Sequence, residues 1–154
     1  MLPVHFISDK SPLTGSDAVA ALIVSEDGRY LLQLRDDKPG IWYPGHWSCF
    51  GGAVNDGERP LDALRRELEE ELEFAGAECN EFTRFDFDLQ RINGRKLYRI
   101  YYEVPVRSAA LFRFVLHEGR DMRLFSPAEI FDRANLTPYD SFALWLHASR
   151  GRIR

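Results

Sequence analysis

The chain has 154 residues, about one ordinary domain's worth, with 20 basic residues against 24 acidic ones for a net charge of −4. Its 45% hydrophobic and 29% charged content excludes a disordered chain, a collagen-like repeat and a disulfide-built scaffold. The longest apolar run, residues 18–24, is far short of the roughly 20 residues that a spanning helix needs. The opening MLPVHFISDK has no basic start followed by a long apolar stretch, so no secretory signal is expected. Cys49 and Cys79 form no CxxC pair and read as ordinary thiols in a reducing compartment, which makes the cytoplasm the expected location. The mildly acidic balance argues against a specific nucleic-acid partner.

In chain order, residues 17–25 read as an apolar strand, 26–29 as a turn and 30–35 as a second strand. Residues 36–46 hold two prolines and two glycines and must be a loop. A short strand over 47–50 leads into Gly51-Gly52. Leucines at 61, 64, 68 and 72 mark one stripe of a helix over 60–75. Residues 84–90 and 96–106 resemble a hairpin closed by a tight Asn93-Gly94 turn. Ser126-Pro127-Ala128-Glu129 is a capping-box start, and Thr137-Pro138 opens a last helix running to about Ser149. This order implies an α/β fold in which helices cover both faces of a mixed sheet. One domain over 1–154 is expected, with 1–16 as an N-terminal extension or strand and 150–154 as a C-terminal tail.

Between Glu58 and Glu73 there are seven acids and three arginines, a net of −4 that equals the acidic excess of the whole chain. On a helix Glu67, Glu70 and Glu71 are related as i, i+3 and i+4 and should converge on one patch, with the leucine stripe roughly opposite. The segment has no lysine to separate these charges. A hard divalent cation resolves the repulsion, because it favours several oxygen ligands. A solvated, charge-rich helix face is the competing reading.

Gly52, Glu58, Arg66, Glu67, Leu68, Glu70, Glu71 and Phe74 match in type and spacing the signature of the Nudix hydrolases, and the chain resembles that family over about residues 17–148. The resemblance implies a Nudix-like α/β/α sandwich and hydrolysis of the diphosphate linkage in a nucleoside diphosphate derivative. A nucleoside triphosphate or a nucleotide sugar is the expected substrate. It implies Mg²⁺ as cofactor, with Mn²⁺ as a substitute, held by Glu67, Glu70, Glu71, the Gly52 carbonyl and Glu58. Arg66 would orient carboxylates by pairing with Glu58 or Glu70. The general base would be a box glutamate or an acid of the later HEGRD loop, Glu118 ahead of Asp121. Arg35, Trp42 and Trp47 are the expected substrate contacts, the tryptophans by stacking on a base. Arg91, Arg95 and Arg99 are further phosphate candidates, each weighed against a surface ion pair. A homodimer stays open, and so does a silent Nudix-like module that binds a nucleotide to regulate.

The chain departs from the family pattern twice. Glu73 stands where the pattern has a helix-ending glycine, so Gly76 is expected to end a helix about one turn longer. Arg59 precedes Pro60 where a capping Ser or Thr is usual, a loss of about 1 kcal/mol.

Overall fold

The computed structural model describes residues 14–153. Strands β1 (Ala18–Ser25), β2 (Tyr30–Leu34), β3 (Trp47–Ser48) and β4 (Phe50–Ala53) precede helix α1 (Pro60–Leu72). After it come β5 (Asn80–Leu89), the single turn α2 (Gln90–Asn93), β6 (Arg95–Val106) and the single turn α3 (Ser108–Leu111). Strand β7 (Asp121–Phe125) and helices α4 (Pro127–Arg133) and α5 (Pro138–Ser149) complete the described chain. Among the described residues, no helix is long and apolar enough to cross a membrane.

The seven strands form one mixed sheet ordered β3-β2-β1-β6-β5, with β4 paired to β1 and β7 paired to β2. Strands β1 and β6 run parallel from Ala18↔Arg99 to Ser25↔Val106. The other edge of β1 is divided: its first half pairs with β4 from Ala18↔Ala53 to Ala21↔Phe50, and Ile23 and Val24 pair with β2. Because helices lie on both faces, alternate residues of β1 enter two cores, and the strand is apolar from Ala18 to Val24. Val19, Ala21 and Ile23 pack with Phe50 and with Leu64, Leu68 and Leu72 of α1. Ala20 and Leu22 pack with Tyr101 and with Ile130, Ala143 and Leu144 of α4 and α5. Each fully buried leucine contributes about 1.5–3 kcal/mol, so the three of α1 fix that helix against the sheet.

The expected sandwich with a mixed sheet is present. At the start of α1, Arg59 makes no side-chain cap, while Pro60 occupies the first turn as its fixed φ suits. At α4 the reciprocal capping box forms, with Glu129 N–H donating to Ser126 Oγ at 3.3 Å and Ser126 N–H donating to Glu129 at 2.8 Å.

Two local expectations are corrected. Helix α1 is not a turn longer: it stops at Leu72, and Glu73 itself takes the left-handed conformation at φ 55°. Continuation would require the Glu71 and Leu72 carbonyls to accept from residues 75 and 76. They accept instead from His117 N–H at 2.9 Å and Val115 N–H at 3.2 Å, so a later segment closes the helix end. Gly76 does have φ 69°, but it turns the connection and not the helix. The hairpin is also different. Asn93-Gly94 is not a two-residue turn, because residues 90–93 make one helical turn that Gly94 ends at φ 75°, between strands closing at Leu89↔Arg95.

Candidate active site on both sides of strand β4

Strand β4 carries the adjacent glycines that separate two features of the molecule. On one side lies the acidic face of α1. A Cβ built on Gly52 would stand 2.6 Å from Cδ and both carboxylate oxygens of Glu67, so the Glu67 side chain fills the space that a larger residue would occupy. Arg66 organises this corner. Its Nε and Nη2 donate to the two oxygens of Glu58 at 2.9 and 3.0 Å, its Nη1 to Glu67 at 2.6 Å, and Nη2 also to the Ala53 carbonyl at 3.0 Å. These guanidinium bonds, with one from Asn55 N–H, hold the Glu58 carboxyl down at about 2. Burial pushes Glu67 up, against the pull of Arg66.

The three helix glutamates do not share one solvent-facing patch. Glu71 is 3% exposed and lies on the buried side of α1 beside Leu68 and Leu72. It is held there by Gly51 N–H at 2.9 Å and Gln33 Nε2 at 3.2 Å. Burial raises its carboxyl to about 8, with Glu118 and Glu67 adding to the rise. Glu70 is 62% exposed, 3.6 Å from Arg66 Nη1. Among the described residues no three acidic, histidine or cysteine side chains stand together at metal-holding spacing. The donor set nevertheless fits a hard cation. It consists of oxygens only, it concentrates like charge, and it includes a buried carboxylate whose ionisation a nearby cation would favour.

Glu118 is exposed and near enough to Glu67 and Glu71 to raise both. The bend that puts it there uses Gly119 at φ 87°, where a Cβ would come within 2.9 Å of the Leu34 carbonyl oxygen. Asp121 begins β7, paired with Leu34.

On the other side of β4 is a cavity of about 360 Å³, lined by Cys49, Gly51, Gly52, Arg35, Trp42, Leu97, Arg99 and Tyr139, among others. Arg35 and Trp42, two of the three expected substrate contacts, are therefore together, with Arg35 Nε donating to the Trp42 carbonyl at 2.7 Å. Trp47 stands apart. Its ring packs edge-on against Phe125 at 4.8 Å within the α5-side core.

Sequence reasoning did not find the buried cluster behind this cavity. Asp140, fully buried at the first turn of α5, accepts from Cys49 N–H and the Thr137 hydroxyl on one oxygen, and from Arg99 and the Tyr101 hydroxyl on the other. Burial opposes the charge on Arg99, but Asp140 together with Tyr101, Tyr139 and Cys49 outweighs it and raises the guanidinium pKa. Arg99 is thus not a surface arginine. The available signal was the alternation Leu97, Arg99, Tyr101, which puts an arginine on the inward face of a strand.

A family model described as NUDIX domain matches residues 15–145. The nucleoside triphosphatase NudI of Escherichia fergusonii is 50% identical over 50 residues, and the chain spans about a third of that protein's length (35%, against 32% of its own). A NudI from an Escherichia coli strain is 34% identical over 115 residues, covering 70% of this chain and 80% of that protein. The crystal structure of a MutT NUDIX hydrolase from Burkholderia pseudomallei superposes with a TM-score of 0.65 at 26% identity, over 84% of this chain and 95% of that one. With its family model covering most of the chain and the signature residues set around β4, the chain belongs to the Nudix family.

Proposed function

We propose that this protein is a Mg²⁺-dependent hydrolase that cleaves a phosphoanhydride bond of a nucleotide, with a nucleoside triphosphate as substrate. The observation that carries this reading is the placement of an acidic cluster and a nucleoside-sized cavity on opposite sides of one glycine-bearing strand. A ligand seated in the cavity would extend its phosphates past Gly52 toward Glu67. The relatives named as nucleoside triphosphatases support a triphosphate over a nucleotide sugar.

In this reading Glu67, Glu70, Glu71, Glu58 and the Gly52 carbonyl hold Mg²⁺, for which Mn²⁺ can substitute. When bound, the ion neutralises phosphate charge and acidifies water. Arg66 fixes the orientation of Glu58 and Glu67 through three hydrogen bonds, while a fourth anchors it to the Ala53 carbonyl. Gly51 N–H and Gln33 hold Glu71 in its buried position. Glu118 acts as the base that removes a proton from the attacking water, a contribution of about 10²–10⁴-fold in such reactions. Arg35 and Trp42 contact the substrate at the cavity.

The test is release of phosphate or pyrophosphate from a panel of nucleoside triphosphates and nucleotide sugars, with and without chelator, for wild type and Glu70→Gln. Glu70 is exposed, so the amide should leave folding intact while removing a ligand charge. Turnover that needs a divalent cation and falls at least 10²-fold in Glu70→Gln is expected. Turnover indifferent to chelator, or undiminished in the variant, overturns the assignment.

A further inference from the structure

A guanidinium has five N–H donors arranged as two forks. In Arg99 the side fork is used: Nε donates to the Tyr101 hydroxyl at 2.9 Å and Nη2 to Asp140 at 3.1 Å. Asp140 is itself saturated, since each of its oxygens accepts twice, from Cys49 N–H and Thr137 at one and from Arg99 and Tyr101 at the other. The side chain is therefore clamped, with the Tyr139 ring 4.8 Å from its central carbon. No other hydrogen bond to a described residue is made by the end fork, formed by Nη1 and Nη2. Arg99 nevertheless lines the cavity, and its side chain is only 17% exposed. The end fork is not buried away from solvent, since Ser48 Oγ is the only buried unpaired side-chain atom among the described residues. Water in the cavity can therefore accept from it until a ligand with matching acceptors takes that place.

The cavity wall narrows the choice of ligand group. Trp42, Phe87, Leu89, Leu97 and Tyr139 make it aromatic and aliphatic, a surface suited to a flat ring. The acidic cluster that would receive phosphates lies across β4. We propose that Arg99, positioned by Asp140 and Tyr101, reads the edge of a nucleobase in this cavity and selects bases that present two adjacent hydrogen-bond acceptors. Guanine offers O6 and N7, whereas adenine pairs its N7 with an amino group that would face the guanidinium donor to donor. Among pyrimidines, cytosine offers O2 beside the unprotonated N3, whereas uracil and thymine carry a hydrogen on N3. This inference rests on the nucleotide-hydrolase reading and adds to it a base preference and the residue that sets it.

The experiment compares kcat/KM for GTP against ATP and for CTP against UTP. It also measures binding of GMP, AMP, CMP and UMP by titration calorimetry in chelator, which needs no turnover. In wild type at least one of the two pairs should favour the base with two acceptors by about ten- to hundredfold, in turnover and in binding; the pair that does so distinguishes guanine from cytosine. Arg99→Lys keeps a cation beside Asp140 but has no planar fork, so it should remain folded and bring that ratio to within about threefold, chiefly through KM. Wild-type ratios near one in both pairs overturn the proposal, as does a ratio unchanged in a folded Arg99→Lys, and these wild-type measurements need no variant to fold. Selective monophosphate binding without hydrolysis of any triphosphate sustains the role of Arg99 and refutes the hydrolase reading instead. Failure of all four monophosphates to bind overturns the role of Arg99.

Discussion

Gly51 and Gly52 are neighbours under different constraints, and alanine at each position separates the architecture from the site. At Gly52 the added methyl would meet Cδ and both oxygens of Glu67 at 2.6 Å. An ordinary contact needs about 3.5 Å, so the carboxylate must retreat by about 1 Å, away from the position it holds with Arg66. The obstacle is the far end of a flexible side chain, and the Gly52 backbone lies outside the left-handed region. Alanine there also restricts the unfolded chain, a gain of about 0.4–1 kcal/mol. Gly52→Ala should therefore be as stable as wild type or slightly more so, while a misplacement of about 1 Å at a reacting centre lowers turnover about 10²-fold.

At Gly51 the collision is with the backbone. The methyl would stand 2.2 Å from the Val19 carbonyl oxygen and 2.8 Å from Ala20 Cα, at a φ of 136° that L residues rarely adopt. Relief requires β4 to move off β1, with loss of the Gly51 N–H bond to buried Glu71. Strain and the broken bond together should cost about 3 kcal/mol or more. Urea unfolding and kcat/KM per folded molecule, at saturating Mg²⁺, measure the two effects separately. A fully active Gly52→Ala, or one destabilised as much as Gly51→Ala, would refute the reasoning that Gly52 is there to seat Glu67.

Two further outcomes are expected from groups away from the cavity. Glu73→Gly removes a left-handed non-glycine residue and should raise stability in urea unfolding by about 0.5–1 kcal/mol, even though it gives up the 2.7 Å contact with His117; a loss of stability would show that the His117 pair outweighs the strain. Burial lowers the pKa of His147, packed between Tyr30 and Glu103, despite the opposing pull of Glu103. The native state therefore prefers the neutral ring, and the stability this contributes is complete above the ordinary value of 6.5 and is lost as pH falls through the lowered one. The wild type should lose stability below pH 6.5 relative to His147→Gln, and parallel pH profiles would contradict this.

How far the sequence disclosed the site depends on which residues each contact joins. The Arg66–Glu58 pair lies within one short segment and was expected from the family resemblance, with Glu70 as the alternative, whereas the Arg66–Glu67 bond was not expected. The burial of Glu71 was present in the spacing, though obscured by residue type. Position 71 stands three residues after Leu68 and seven after Leu64, on the stripe that packs against the sheet, but an acid there reads as charge rather than as core. Its partners, Gln33 and Gly51 N–H, come from β2 and β4, and nothing in the helix announces them. The ending of α1 at Glu73 was illegible for the same reason, because the donors that stop it belong to residues 115 and 117. Arg99 and Asp140 lie 41 residues apart and meet only when α5 docks on β6. Local pattern thus located the groups that carry charge along one helix. The cavity is assembled from β4, β6, the 36–46 loop and α5, so it follows from tertiary packing, and its traces in the sequence are Arg35, Trp42 and one inward-facing arginine, Arg99.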